Sequence, residues 1–76
     1  MEIHKIETNK KKYLELLLLA DEQESMVDRY LERGDMFVLF CPKMEAIGVA
    51  VVTDEGNGIC ELKNLAVHPD FQRCGY

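Results

Sequence analysis

From Met36 onward, three stretches dense in apolar and β-branched residues follow one another, separated only by short breakers. They are Met36 to Cys41 (MFVLFC), Met44 to Thr53 (MEAIGVAVVT) and Ile59 to Val67 (ICELKNLAV). Runs of this length bounded by turn formers are strands rather than helices, so the chain must build a sheet. Pro42-Lys43 breaks the first run. Asp54-Glu55-Gly56-Asn57-Gly58 supplies a turn whose residues tolerate positive φ, and His68-Pro69-Asp70 ends the third run, because proline has no N–H to give a ladder. The unbroken MFVLFC run predicts a strand covered on both faces. Gly48, inside the second run, marks a bulge or the close approach of a neighbouring backbone.

The N-terminal half has a different period. Ile3 and Ile6 stand among Glu2, His4, Lys5 and Glu7, which predicts a short strand over residues 2–7. Thr8 and Asn9 offer capping oxygens to a helix from Lys10 to Ala20, where Tyr13, Leu14, Leu17 and Leu18 form a stripe that Leu16 and Leu19 widen. Asp21 and Glu24 have capping-box spacing. Met26, Val27, Tyr30 and Leu31 then predict a second amphipathic helix from Glu22 to Arg33, with Gly34 as its left-handed stop. Lys10-Lys11-Lys12 reads as a solvated face. The expected order is β-α-α-β-β-β: an α+β fold with a mostly antiparallel sheet and two helices, in one domain over residues 1–76.

Composition narrows the function. A net charge of −5, from 14 acids against nine bases, argues against nucleic acid as a partner. Cys41, Cys60 and Cys74 include no CxxC pair, which argues against a disulfide scaffold or a cysteine-based metal site and favours a reducing, cytoplasmic setting. The greasiest helical run, Leu14 to Ala20, is interrupted by Glu15 and falls far short of the ~20 residues of a membrane span. The N-terminus has no signal-like apolar region.

The last sixteen residues, ELKNLAVHPDFQRCGY, carry the most information. A strand leading into a glycine-containing loop aims several backbone N–H groups at one point, and a following helix dipole adds to them, which suits a diphosphate. Gln72-Arg73-Cys74-Gly75-Tyr76 supplies the first five positions of an Arg/Gln-x-x-Gly-x-Gly/Ala motif, and Leu65-Ala66-Val67-His68-Pro69 precedes it as a strand-to-loop passage. In these residues and in its element order, the sequence resembles the GNAT N-acetyltransferase family. The resemblance implies an α/β GNAT-like fold and an N-acetyltransferase that passes acetyl from acetyl-CoA to a primary amine by direct attack in a ternary complex. It also implies that Leu65, Ala66 and Val67 hold the pantetheine arm and thioester carbonyl through their backbone. Gln72, Arg73, Cys74, Gly75 and Tyr76 then begin the pyrophosphate loop. The motif's sixth position lies past Tyr76, so the resemblance further implies the N-terminal part of a domain, inactive by itself.

Glu61 stands where some members of that family place a general-base glutamate. An amine with a reference pKa of about 10.4 must lose a proton before it attacks a thioester. A strand-edge Glu61 paired with Lys63 is the structural alternative. Asn64 is unusual in mid-strand; it either bonds a neighbouring backbone, the simpler use, or faces the cofactor cleft that the resemblance implies. His68 reads as a loop residue, His4 has no special context, and Cys60 and Cys74 lack an activating base. With half a core, the sheet is expected to expose an apolar surface that a second copy covers, giving a homo-oligomer. A non-catalytic fragment acting only through such association is the competing reading. No metal is implied.

Overall fold

A computed structural model of the chain describes residues 1–69. Four strands form one antiparallel sheet in sequence order: β1 (Glu2–Ile6), β2 (Asp35–Phe40), β3 (Ala46–Gly56) and β4 (Ile59–Val67). Two short helices, α1 (Leu14–Leu17) and α2 (Glu24–Asp28), lie between β1 and β2 and cover one face. The predicted order and class hold. All three long strands fall within three residues of their expected bounds, because a run of β-branched residues leaves little choice of backbone. The β3–β4 hairpin turns on Asn57 and Gly58, at φ 54° and 77°. Two consecutive positive φ values match the right-handed twist of the flanking strands, which is why Asn-Gly is favoured there.

The helices depart from expectation. Lys10 to Ala20 is not one helix: Lys10–Tyr13 is a 3-10 turn, α1 follows, and its end tightens into Leu19 N–H to Leu16 O and Ala20 N–H to Leu17 O bonds. Asn9 adopts a left-handed conformation and makes no side-chain cap. Asp21 and Glu24 form no capping box either. Gln23 occupies the cap of α2, and the Asp21 carboxylate instead accepts a hydrogen bond from the Tyr30 hydroxyl. Beyond Asp28 the second predicted helix continues as turns with mixed three- and four-residue bonds. Tertiary contacts outweigh propensity here, since helices this short draw their stability from packing.

Lys10 is the plainest correction. It is buried, not solvated, and its ammonium donates to the carbonyls of Leu31 (2.8 Å), Gly34 (2.7 Å) and Glu32 (3.4 Å). It thereby satisfies the carbonyls that the irregular end of the second helical segment leaves without partners. Gly34 also has another role than predicted: its φ is not positive. A Cβ there would lie 2.8 Å from Val51 Cγ1 and 3.0 Å from the Tyr30 carbonyl oxygen, so glycine is required for close packing of the α2–β2 connection on β3.

One face of the sheet holds the core. Met36 and Val38 of β2 and Val49 and Val51 of β3 pack with Leu17, Val27 and Leu31, all essentially removed from solvent. Among the described residues the opposite face is open, so they cover β2 on one side rather than two. Phe37 and Leu39 instead line an apolar groove of ≈ 380 Å³ with Ile3, Ala50, Leu65 and Val67. Gly48 lies in this groove, where a Cβ would stand 3.1 Å from the Ala66 carbonyl oxygen, confirming the expected close approach. Ile3, Leu62 and Leu65 are 71%, 55% and 62% exposed, an unusual amount of apolar surface for so small a chain.

Candidate active site

β4 is where sequence placed the chemistry, and among the described residues it is an edge strand: β3 pairs with one side only. The His68 N–H bonds the Ile47 carbonyl at 2.7 Å, which sets the phase of the ladder. Antiparallel pairs alternate, so the N–H and C=O groups of Leu65 and Val67 point to the outer edge, while those of Asn64 and Ala66 bond to β3. A row of outward amides and carbonyls along an apolar strand is a surface on which an extended ligand can lie as an added strand.

A bulge reshapes this strand. Asn64 pairs with Val51, but Leu62 pairs with Val52, leaving Lys63 as the extra residue on β4. The extra residue exchanges the faces that follow it. Asn64 and Ala66 turn toward the helices, Leu65 and Val67 toward the open groove, and Glu61, across from Thr53, returns to the rim of the helix-bearing face. Without the bulge, Glu61 would share the face of Leu65. The Glu61 carboxylate accepts from the Lys63 ammonium at 2.9 Å and remains 53% exposed. Gln72, Arg73, Cys74, Gly75 and Tyr76 lie outside the described residues.

Asn64 is the residue whose importance sequence understated. It is 2% exposed, and its amide donates to the Leu17 carbonyl (2.9 Å) and to the Tyr30 hydroxyl (2.9 Å). Tyr30 in turn donates to Asp21. Burial, reinforced by that carboxylate, pushes the Tyr30 phenol up to about 12, against a partial opposing effect from Asn64. Because the folded value lies above the unfolded value of 10.0, the protonated phenol contributes stability below about pH 10. That contribution is lost as pH rises toward the folded value. Alkaline unfolding followed by circular dichroism should therefore steepen between about pH 10 and 12, and less so in Tyr30→Phe; identical profiles would refute the linkage.

Other charges sit on the periphery. The Lys11 ammonium lies 2.7 Å from both Asp28 and Glu24, whose hydrogen bonds hold its pKa well above the ordinary lysine range. Glu55 is held below the usual carboxylate range by the Thr53 hydroxyl and then by Arg33. A second cleft, ≈ 290 Å³, lies beside α1 near the end of β4, lined by Lys12, Tyr13, Glu15, Leu19 and His68 among others. Cys41 is buried and Cys60 exposed, and both are free thiols. Among the described residues no group of three or more His, Cys, Asp or Glu side chains is placed to hold a metal, and no helix is long and apolar enough to cross a membrane.

Comparison with known proteins bears directly on this edge strand. No protein-family model matches the chain. It is 39% identical over 70 residues to the uncharacterized N-acetyltransferase YvbK of Bacillus subtilis (strain 168), a match covering 92% of this chain and 44% of that protein. A GNAT family acetyltransferase from Elizabethkingia anophelis, solved with acetyl-CoA bound, superposes with a TM-score of 0.87 at 32% identity, covering 97% of this chain and 48% of that one. A Bacillus subtilis acetyltransferase in complex with CoA gives 0.85 at 34% identity, with the same coverage. The chain thus spans about half the length of the relatives it matches. In strand order and in sequence identity above 30% to each of these proteins, the chain is similar to GNAT acetyltransferases over about half of their length.

Proposed function

We propose that the chain supplies the cofactor strand of an acetyltransferase that moves acetyl from acetyl-CoA to a primary amine. The observation that carries this reading is the outer edge of β4, with outward backbone groups at Leu65, in a fold shared with proteins solved with acetyl-CoA or CoA. Acetyl-CoA lies along that edge, with the pantetheine amides pairing with the strand and the thioester carbonyl accepting from a backbone N–H. Gln72 to Tyr76 take part in binding the pyrophosphate. The amine attacks the thioester carbon from the side of the helix layer, the C–S bond breaks, and CoA leaves as the thiol after taking up a proton. Glu61, at the rim of that layer, or a water it orders accepts the proton lost by the amine. Free thiols at Cys41 and Cys60 fit a cytoplasmic setting.

Isothermal calorimetry and thermal unfolding with acetyl-CoA test the first step. Saturable heat and a rise in Tm are expected, equivalent to about 2.7 kcal/mol of stabilisation at a hundredfold excess over Kd. Neither heat nor protection would remove cofactor binding from this chain. Leu65→Pro sharpens the test. Proline at an outward N–H leaves the β3–β4 ladder intact but deletes the donor, so the fold should survive and acetyl-CoA binding should weaken.

A second reading, association without catalysis, is favoured by the open apolar face around Ile3, Phe37 and Leu65. A second copy of the chain covers that groove in this reading. Sedimentation equilibrium decides it: a concentration-dependent mass supports pairing, and a constant monomer mass removes it.

A further inference from the structure

Two irregularities in the β3–β4 hairpin cancel one another. Gly56 pairs with Ile59 beside the two-residue turn, and Val51 pairs with Asn64 farther along. Both pairs belong to one regular ladder, which would also set Asp54 against Glu61, Thr53 against Leu62 and Val52 against Lys63. The structure instead sets Asp54 against Cys60, Thr53 against Glu61 and Val52 against Leu62. Glu55 is therefore an extra residue on β3, as Lys63 is on β4. Between the two bulges, residues 60–62 run one residue out of step with the hairpin on either side.

That offset decides the face on which each side chain lies. Out of step, Glu61 shares the helix-bearing face with buried Thr53, and Leu62 lies on the open face. In step, Leu62 would stand across from Thr53, and Glu61 would move to the open face opposite the like charge of Asp54. The Asn57-Gly58 turn and the pairing of residues 64–67 are the same in both. Two ladders thus compete for the same three residues, and local groups choose between them. Gly56 sits at φ 89°, a conformation used by the bulge and not by a regular strand, and its N–H bonds Asp54 Oδ1 at 2.8 Å. On the helix-bearing side, Arg33 donates to Glu55 at 3.0 Å and Lys63 donates to Glu61 at 2.9 Å. Glu55 is held below the usual carboxylate range first by the Thr53 hydroxyl, then by Arg33, and also by the charge of Lys63. Moving into step would carry Glu61 and Lys63 away from this group of alternating charges.

We propose that the β3–β4 hairpin has two registers, that the register sets the face of Glu61, and that Gly56 and Lys63 hold the out-of-step one. Both are positioning residues: Gly56 permits the bulge on β3, and Lys63 fills the bulge on β4 and ties Glu61 to the helix-bearing side. The inference rests on the reading of Glu61 as proton acceptor and adds what puts it on the side from which the amine attacks. In the in-step register the strand still carries Leu65 at its outer edge, with its proton acceptor turned away.

NMR of the whole 76-residue chain tests this. Contacts between the Val52 and Leu62 side chains report the out-of-step register, and contacts between the Thr53 and Leu62 methyls the in-step one. The unaltered chain should show the first set. A Cβ on Gly56 meets nothing within 4 Å, so Gly56→Ala acts only through its positive φ and should favour the in-step register by about tenfold. Lys63→Gln should shift it less, and the double variant should show the Thr53–Leu62 contacts in place of the others. Lys43→Gln, the same loss of charge in the β2–β3 connection, should change nothing. A folded double variant that keeps the Val52–Leu62 contacts overturns the proposal, because a role in stability alone does not move a register. Should the double variant not fold, saturation transfer on the unaltered chain decides: a minor state confined to the segment between the bulges supports the proposal, and its absence overturns it. Acetyl-CoA binding, measured separately by calorimetry, should be equal in the unaltered chain and the double variant, since Leu65 keeps its partner. No binding by either removes the cofactor reading and leaves the two registers standing, whereas an unmoved register with binding intact removes this inference alone.

Discussion

Replacing Lys10 with methionine is expected to cost about 3 kcal/mol or more of stability, read as a lower urea midpoint at unchanged m-value. Methionine keeps the buried methylenes and removes the ammonium that serves the carbonyls of Leu31, Glu32 and Gly34. A hydrogen bond to a charged group is worth about 1.5–3 kcal/mol, and the carbonyls left behind are buried without partners. Part of that loss is offset because the ammonium no longer needs to be desolvated. A small domain has only about 0.05–0.15 kcal/mol of stability per residue, so this one change takes a large share. Lys12→Met is the control. Lys12 merely lies over the Tyr13 ring at 5.8 Å, and its loss should cost no more than about 1 kcal/mol. Equal midpoints for the two variants would mean that Lys10 does not cap the connection.

Asn64→Leu should be nearly as costly, at about 2–3 kcal/mol. The two side chains have similar volume, so packing changes little. The Leu17 carbonyl and the Tyr30 hydroxyl each lose a donor, while the strand loses an unsatisfied buried oxygen, which partly offsets the change. The damage should be local. Hydrogen exchange is expected to speed up over residues 14–31, which Asn64 ties to β4, and to change little in β2 and β3. Asn64→Asp should do worse than leucine, because a buried carboxylate there faces the Leu17 carbonyl and lies near Asp21. Uniform loss of protection across the sheet, or no loss anywhere, would contradict the role assigned to this side chain.

Both residues show why parts of the molecule were hidden from a sequence reading. Three consecutive lysines at the start of a predicted helix look like a solvated face, and two of them do remain outside. Lys10 goes in because the α2–β2 connection, more than twenty residues away, ends with carbonyls that need a donor. Asp21 and Glu24 have the spacing of a capping box, yet Asp21 is drawn to Tyr30 because Tyr30 is itself held by a strand that arrives much later in the chain. Glu61 is singled out in sequence by standing where some members of the resembled family place a general-base glutamate. The face it occupies depends on the extra residue at Lys63, which no local pattern marks.

The sequence alone determined the strands, their breakers, the Asn-Gly hairpin and the family resemblance of the β4 segment. Each depends on local geometry: β-branched runs favour extended backbone, proline withholds an N–H, and glycine or asparagine accepts positive φ. Tertiary structure alone decided how much of each helical segment stayed regular, which lysine was buried, why Gly34 is glycine, and that Asp21 is tied to β4 through Tyr30 and Asn64. Those outcomes depend on pairs of groups distant in sequence, where a buried donor must find an acceptor wherever the fold happens to place one.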